Sequence, residues 1–479
     1  MPLSNRLPCT AVALALALGG CAAVGPEFRP PAAPAGPAGA GYAMVGDPAA
    51  PGARLDPEAR SAGPWWEAFG DPDLDRVVRQ ALAESPSVAE AGATLARYQA
   101  EVRAARGAQA PEVTANGSAQ RERINTQAFG FNFPTPTITL YSIGAGVSYD
   151  LDLFGGKRRA TEAAQARADQ AARQADAAFL ALSGNVALQA MRVAGLRARI
   201  AAVEAVIADD RRTIDMVRKA EALGGQAPSA ITGGRAQLAE DEALLPPLQR
   251  ELDMARHQLA LLVGKSPAEW SPPDFDMARL TAPAEIPLSL PSTLVRRRPD
   301  ILAAEAELHA ATAEIGVAVA AQYPDIRLSA TLTQSTMKPE QLFNYSSSGW
   351  NLLSGVTSPV FDGGRLKAER RAAEATARVS LARYQQTVLR AFVQVSDALA
   401  ALGSDQQRIA ALGRAGDAAT ARVRDAEAAY RLGGGALIQV VDAQRQLSRA
   451  RQALAEAQAQ RFADLVELYA ATATDWRKG

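Results

Sequence analysis

Two stretches of the chain repeat one another at a fixed distance. Ser85-Pro86-Ser87-Val88 with Ala91 matches Arg298-Pro299-Asp300-Ile301 with Ala304, and Ala110-Pro111-Glu112-Val113 matches Tyr323-Pro324-Asp325-Ile326. Both proline pairs stand 213 residues apart (299 − 86 and 324 − 111). Further on, Leu153-Phe154-Gly155-Gly156-Lys157 pairs with Val360-Phe361-Asp362-Gly363-Gly364-Arg365, and Leu223-Gly224-Gly225 pairs with Leu432-Gly433-Gly434. Downstream of those glycines, Arg235-Ala236-Gln237-Leu238 pairs with Asp442-Ala443-Gln444-Arg445. The offset drifts to between 207 and 210, the mark of small loop indels. A duplication of this length restricts the fold to two copies of one supersecondary unit.

Each half reads helix, strand, strand, very long helix, glycine turn, long helix. The first repeat covers 64–288, with strands at about 112–150 and long helices at about 157–222 and 236–263. The second covers 289–479, with strands at about 326–361 and long helices at about 364–432 and 438–470. From Leu182 the apolar positions run Val186, Val193, Leu196, Ile200, Val203, Ile207, Ile214 and Val217, with Gln189 and Asp210 in the skipped slots. Alternating steps of three and four form a heptad seam, so this helix supercoils against neighbours. The second half repeats the seam at Val388, Phe392, Val395, Leu399, Leu402 and Ile409. Unbroken, residues 157–222 would span roughly 100 Å at 1.5 Å per residue. Pro246-Pro247 falls inside the first returning helix and should bend it or loosen its hydrogen bonding.

The strand signal has period two. Ile143, Ala145, Val147, Tyr149 and Leu151 alternate with small or polar residues, as do Ile326, Leu328, Ala330 and Leu332. Membrane strands show this alternation, and so does any half-buried antiparallel sheet. Partner strands at Val113–Gln120 and Trp350–Val360 are fainter.

The N-terminus is a targeting segment rather than fold. Residues 1–20 carry Arg6, a short apolar run from Ala11 to Leu18, and then Leu18-Gly19-Gly20-Cys21. The run is too short to cross a bilayer, and small residues before a cysteine form a lipoprotein cleavage site. Cys21 is expected to carry the lipid, and Ala22-Ala23 offers no aspartate of the kind that retains lipoproteins at the inner membrane. Residues 21–63 read as a lipid-anchored tether rich in Pro, Ala and Gly. Lipid alone anchors marginally, so a second membrane element is expected.

Charge excludes some classes. Acidic and basic residues balance at 51 each, so nothing draws the chain electrostatically to nucleic acid. His257 and His309, the two histidines, have no cysteine or acidic cluster at metal spacing, and no Walker-type phosphate loop occurs. An enzyme is not expected, nor any cofactor or metal, and active transport would need an engine elsewhere.

Four strands cannot close a barrel, and an open sheet would expose its edges to lipid. Strands in a membrane must therefore be pooled, and three chains supply twelve. The alternative is a lipid-anchored structural coiled coil with a soluble sheet and no pore.

The mature chain resembles the TolC-like outer-membrane factors, specifically the OprM/NodT-type efflux lipoproteins. The resemblance is carried by Leu290-Pro291-Ser292, Arg297-Arg298-Pro299-Asp300-Ile301, Ala304-Glu305, Ile315-Gly316 and Tyr323-Pro324. Cys21 with Gly25-Pro26-Glu27-Phe28, Trp66 to Leu74, Asp152 to Gly156, and Tyr430 with Asp442-Ala443-Gln444 add to it. It implies a mainly α fold with membrane β: two tandem repeats per chain, long coiled-coil helices forming an α-barrel, and four strands per protomer trimerising into a 12-stranded β-barrel. The implied function is the outer-membrane channel of a tripartite efflux system. Such a channel passively conducts drugs or other small molecules delivered by an inner-membrane RND-type pump and a periplasmic adaptor. Protein or peptide secretion through the same duct is the nearest rival.

The resemblance also implies sites. A periplasmic gate is expected at Tyr430, Ile438, Asp442 and Arg445, where aromatic, aliphatic and acid–base contacts between inner helices would hold the bore shut. The bland alternative packs Tyr430 in a seam and leaves Asp442 to compensate the helix dipole. The turns Leu223-Gly224-Gly225 and Leu432-Gly433-Gly434 are expected to dock the adaptor, the first with less certain geometry because Gly233-Gly234 follows it. Arg298-Pro299-Asp300 reads as structural, with proline opening a helix and an acid in its first turn.

Overall fold

The computed structural model describes residues 23–32, 42, 44, 64–123, 130, 137–225, 227–283 and 294–472. The signal segment, Cys21, most of the tether and Leu290-Pro291-Ser292 lie outside them. The helices are α1 (Pro72–Glu84), α2 (Pro86–Gly107), α3 (Gly156–Ala222), α4 (Pro228–Glu242), α5 (Leu245–Val263), α6 (Pro299–Ala320), α7 (Arg365–Arg431) and α8 (Leu437–Thr472). The strands are β1 (Glu112–Arg123), β2 (Thr137–Leu151), β3 (Asp325–Thr336) and β4 (Ser348–Thr357). The duplication is written in their lengths: α2 and α6 have 22 residues each, β1 and β3 have 12, and α3 and α7 have 67.

The chain divides into two compact units. One gathers residues 94–172 and 303–384 with the segment up to 31. Its centre is an antiparallel sheet of order β1-β2-β3-β4, paired at Val113↔Val147, Ala145↔Leu332 and Leu332↔Trp350. Because side chains alternate along a strand, this register sorts the sheet into two faces. Val113, Ile143, Val147, Leu328, Leu332, Trp350 and Val356 share one face and are exposed there. Thr114, Ser142, Ser148, Arg327, Thr331 and Asn351 share the other. The edges of the sheet are β1 and β4.

Residues 23–31 are seated in the same unit. The Val24 N–H donates to the Phe154 carbonyl at 3.0 Å, and the Arg159 guanidinium donates to Val24 O at 3.2 Å. Phe28 stacks on His309 with centroids 4.3 Å apart, and His309 Nε2 lies 3.0 Å from Glu162. Gly25 has φ +96°, and a Cβ there would stand 2.5 Å from Gly316 Cα, so only glycine fits.

The second unit gathers 32–93, 173–302 and 385–479. Trp65, Trp66 and Phe69 are buried in a 3-10 turn, where Trp65 stacks on Tyr469 at 5.7 Å and Phe69 meets Phe462 at 6.2 Å. The Asp71 carboxylate caps α1 by accepting from Asp73 N at 2.8 Å, ahead of Pro72. The heptad seam of α3 is buried at Leu182, Val186, Val193, Leu196, Val203, Ile207, Ile214 and Val217, and half-buried at Ile200. By length and composition α3 could cross a membrane, but 56% of its most apolar window is buried by the protein itself. Arg298 is buried and donates to the Ala471 carbonyl at 2.7 Å, to Gln394 at 2.8 Å and to Asp300.

Two expectations change. The first returning helix is not one bent rod over 236–263: α4 ends at Glu242 and α5 starts at Leu245, with Pro246 and Pro247 in its first turn. Neither proline has an N–H to donate, and each ring would clash with a carbonyl four residues back, so the helix restarts there. And β4 stops at Thr357 rather than 361, leaving Val360 and Phe361 exposed beyond it.

Candidate gate at the helical turns

The two glycine turns, both in the second unit, are the same motif. At the end of α7, Gly434 N–H donates to Ala429 O at 3.0 Å and Gly433 N–H to Tyr430 O at 3.0 Å. At the end of α3, Gly225 N–H donates to Ala220 O and Gly224 N–H to Glu221 O, both at 2.8 Å. Each is a Schellman closure, with glycine left-handed at φ +74° (Gly433) or +75° (Gly224). The first turn is therefore as well formed as the second. Gly233 and Gly234 fall inside α4, where Gly234 lets Ile214 approach. Leu223 and Leu432, one residue before each left-handed glycine, are both 87% exposed. Two large apolar side chains at the exposed tips of two identical turns can enter a partner's groove.

Beyond the second turn, α8 is two-faced. Leu437, Val440, Ala443 and Leu447 are buried. Ile438, Asp442 and Arg445 follow at steps of four and three, which places them on one stripe opposite that face. Ile438 is 60% exposed, and the Asp442 side chain is 51% exposed. Asp442 and Arg445 stand 3.9 Å apart, an ion pair too long for a hydrogen bond. Three of the four expected gate residues thus share a stripe, exposed at Ile438 and Asp442 and half-buried at Arg445. Tyr430 does not join them. It is half-buried in a small apolar cluster with Val217, Leu437 and Val440, which ties the end of α3 to both sides of the second turn.

One group facing this stripe is not evident from periodicity. Asp210 of α3 has a buried Oδ2 without a hydrogen-bond partner, and Arg445 has a buried Nε without one. Burial and the neighbouring Asp241 carboxyl of α4 push Asp210 up to about 7, against the pull of Arg445. Asp210 meets Asp241 of α4, and Thr213 Oγ1 donates to Gln444 Oε1 at 2.7 Å, so α3, α4 and α8 meet through polar contacts here. A signal existed in Asp210 itself, an acid in one of the two seam slots, with Gln189, that lack an apolar side chain. Among the described residues no cluster of His, Cys, Asp and Glu is arranged to hold a metal ion.

A family model described as outer membrane efflux protein matches residues 77–265 and 290–474, one segment for each repeat. The chain is 31% identical to the probable efflux pump outer membrane protein TtgC of Pseudomonas putida, over 96% of this chain and 94% of that protein. It is 29% identical to outer membrane protein OprJ of Pseudomonas aeruginosa, over 98% and 96% respectively. Its fold superposes on the solved outer-membrane channel OprN with a TM-score of 0.85 at 28% identity, covering 95% of this chain and 99% of that one.

Proposed function

The chain belongs to the outer membrane efflux protein family, and from that premise we propose that three copies form a duct through the outer membrane. In this reading each copy contributes four strands to a 12-stranded β-barrel and its long helices to an α-barrel. The lipid on Cys21 anchors the assembly, and substrate moves passively along the bore. The observation that carries the proposal is the sheet: one face that gathers the exposed apolar side chains from Val113 to Val356, an opposite face that is mainly polar, and two edge strands. In lipid an unpaired edge costs several kcal/mol per backbone group, so the sheet must be completed by other copies.

The turns at Leu223 and Leu432 would meet a periplasmic adaptor, and the stripe Ile438, Asp442 and Arg445 would narrow the opening. With no phosphate loop in the sequence, the energy comes from a partner. The relatives named as efflux pump components favour an inner-membrane RND-type pump and small-molecule cargo over protein secretion. The test is reconstitution of the purified lipoprotein in planar bilayers. Heat-modifiable trimers with discrete ion conductance are expected. A protein extractable by salt, without conductance, would overturn the duct.

A further inference from the structure

We propose that the joint between copies repeats the joint between the two halves of one chain, with Val356 of β4 opposite Ala115 of β1 in the neighbouring copy. The inference rests on the shared barrel above and adds its register. Within one chain, β2 of the first repeat pairs with β3 of the second, with Tyr149 opposite Leu328 and Leu151 opposite Ile326. The duplication maps β2 onto β4 through Phe154 and Phe361, and β3 onto β1 through Pro324 and Pro111. Carrying the observed pair across places Val356, the counterpart of Tyr149, opposite Ala115, the counterpart of Leu328. Thr357 then faces Thr114, and Leu352 faces Ala119.

Two independent checks agree. The first is facial. Val356 lies opposite Ile326, and Ala115 lies opposite Ala145, so both belong to the apolar face. A slip of one residue would join the apolar row of one copy to the polar row of the next, which a sheet with one side in lipid does not allow. Only slips of two survive.

The second check is closure. With the three registers inside the chain fixed, the fourth sets the shear of a threefold barrel. Val356 opposite Ala115 gives a shear of about 18 and a strand tilt of about 45°, at about 3.4 Å per residue and about 4.8 Å between strands. The competing register places Val356 opposite Gly117. It arises if the repeats are aligned on their hairpins, since β1–β2 pairs Glu112 with Ser148 while β3–β4 pairs Asp325 with Thr357. That register needs a tilt of about 55°, steeper than the roughly 35–45° of membrane barrels. The opposite slip, Val356 facing Val113, relaxes the tilt to about 35° but matches neither alignment of the repeats.

The test is disulfide trapping in the full-length lipoprotein in outer membranes. Cys21 is acylated in the mature chain, so introduced cysteines are the free thiols. Four double variants are compared: Val356→Cys with Ala115→Cys, Thr357→Cys with Thr114→Cys, and Val356→Cys with either Gly117→Cys or Val113→Cys. Adjacent cross-strand pairs alternate in spacing, so one of the first two presents the favourable geometry. Oxidation with copper phenanthroline is expected to give several-fold more covalent dimer and trimer from the better of these two than from the Gly117 or Val113 variants. Strongest trapping with Gly117 or Val113, or conducting trimers that trap at none of the four pairs, would overturn the register while leaving the shared barrel standing. Monomers that neither trap nor conduct would overturn the barrel as well.

Discussion

Asp210 on α3 and Asp241 on α4 face each other across a helix contact, and the buried Oδ2 of Asp210 has no donor in reach. Burial, with the Asp241 carboxyl beside it, pushes Asp210 up to about 7, and a proton held there can be donated to Asp241. Asp405 on α7, beside Asp464 on α8, repeats the arrangement at about 6. Both groups bind more protons folded than unfolded between pH 4 and their folded values. The stability they contribute is therefore complete below about pH 4 and lost as pH rises through 6 to 7. Asp210→Asn should behave like wild type at pH 5 and melt a few degrees higher at pH 8. Thermal melting of the purified protein at the two pH values checks this, and an equal shift at both would refute it.

The gate prediction separates two kinds of residue. Asp442→Ala removes an exposed charge from the free stripe of α8, so bilayer conductance should rise with the melting temperature unchanged. Tyr430→Ala removes a ring from the cluster of Val217, Leu437 and Val440, so conductance should rise and melting should fall. Unchanged conductance in both would place the constriction elsewhere.

The tips carry their own prediction. Leu223→Asp and Leu432→Asp alter side chains that are 87% exposed and touch little of their own chain. Bilayer conductance should stay at the wild-type value while crosslinking to the adaptor and cellular efflux fall together. Normal adaptor crosslinking in the double variant would remove the turns from the docking surface.

Much of this was legible from the duplication. Matching Pro86 to Pro299 and Pro111 to Pro324 anticipates α2 and α6, and β1 and β3, at equal length. The heptad steps from Leu182 to Val217 anticipate which side of α3 is buried. Periodicity names the buried side but not the helix that covers it. For that reason the meeting of Asp210, Asp241 and Arg445 from α3, α4 and α8 could not be read, and the seam packing of Tyr430 could be stated only as the alternative to a gate. The break between Glu242 and Leu245 was signalled by Pro246-Pro247, but two prolines fit a first turn as readily as a kink.

The N-terminal seat and the lipid proposed at Cys21 can be tested separately. Cys21→Ser should abolish labelling with a radioactive fatty acid, and retained label would refute Cys21 as the attachment site. Gly25→Ala would force a Cβ against the Gly316 backbone in a left-handed conformation, so the segment from Val24 to Phe28 should lift off Phe154 and His309. Labelling should persist in that variant, while cleavage near Phe28 by added chymotrypsin should rise severalfold. Equal protection would show that the seat does not hold the segment.

Arg298 stands in a motif that reads from the sequence as structural rather than as a binding site. Its guanidinium joins the start of α6 to Gln394 of α7 and to the Ala471 carbonyl near the end of α8, with Asp300 as the counter-ion. Removing a buried, fully engaged cation leaves Gln394 and a helix-terminal carbonyl without their donor, while the 42% exposed Asp300 turns to water, a loss of about 1–3 kcal/mol. Arg298→Ala should therefore cut the yield of heat-resistant trimers and lower their melting temperature. Arg298→Lys should recover only part, since an ammonium cannot present the planar fork that three partners use. Conductance per surviving trimer should match wild type in both. Normal melting with lost conductance or efflux would instead make Arg298 part of the conduction path.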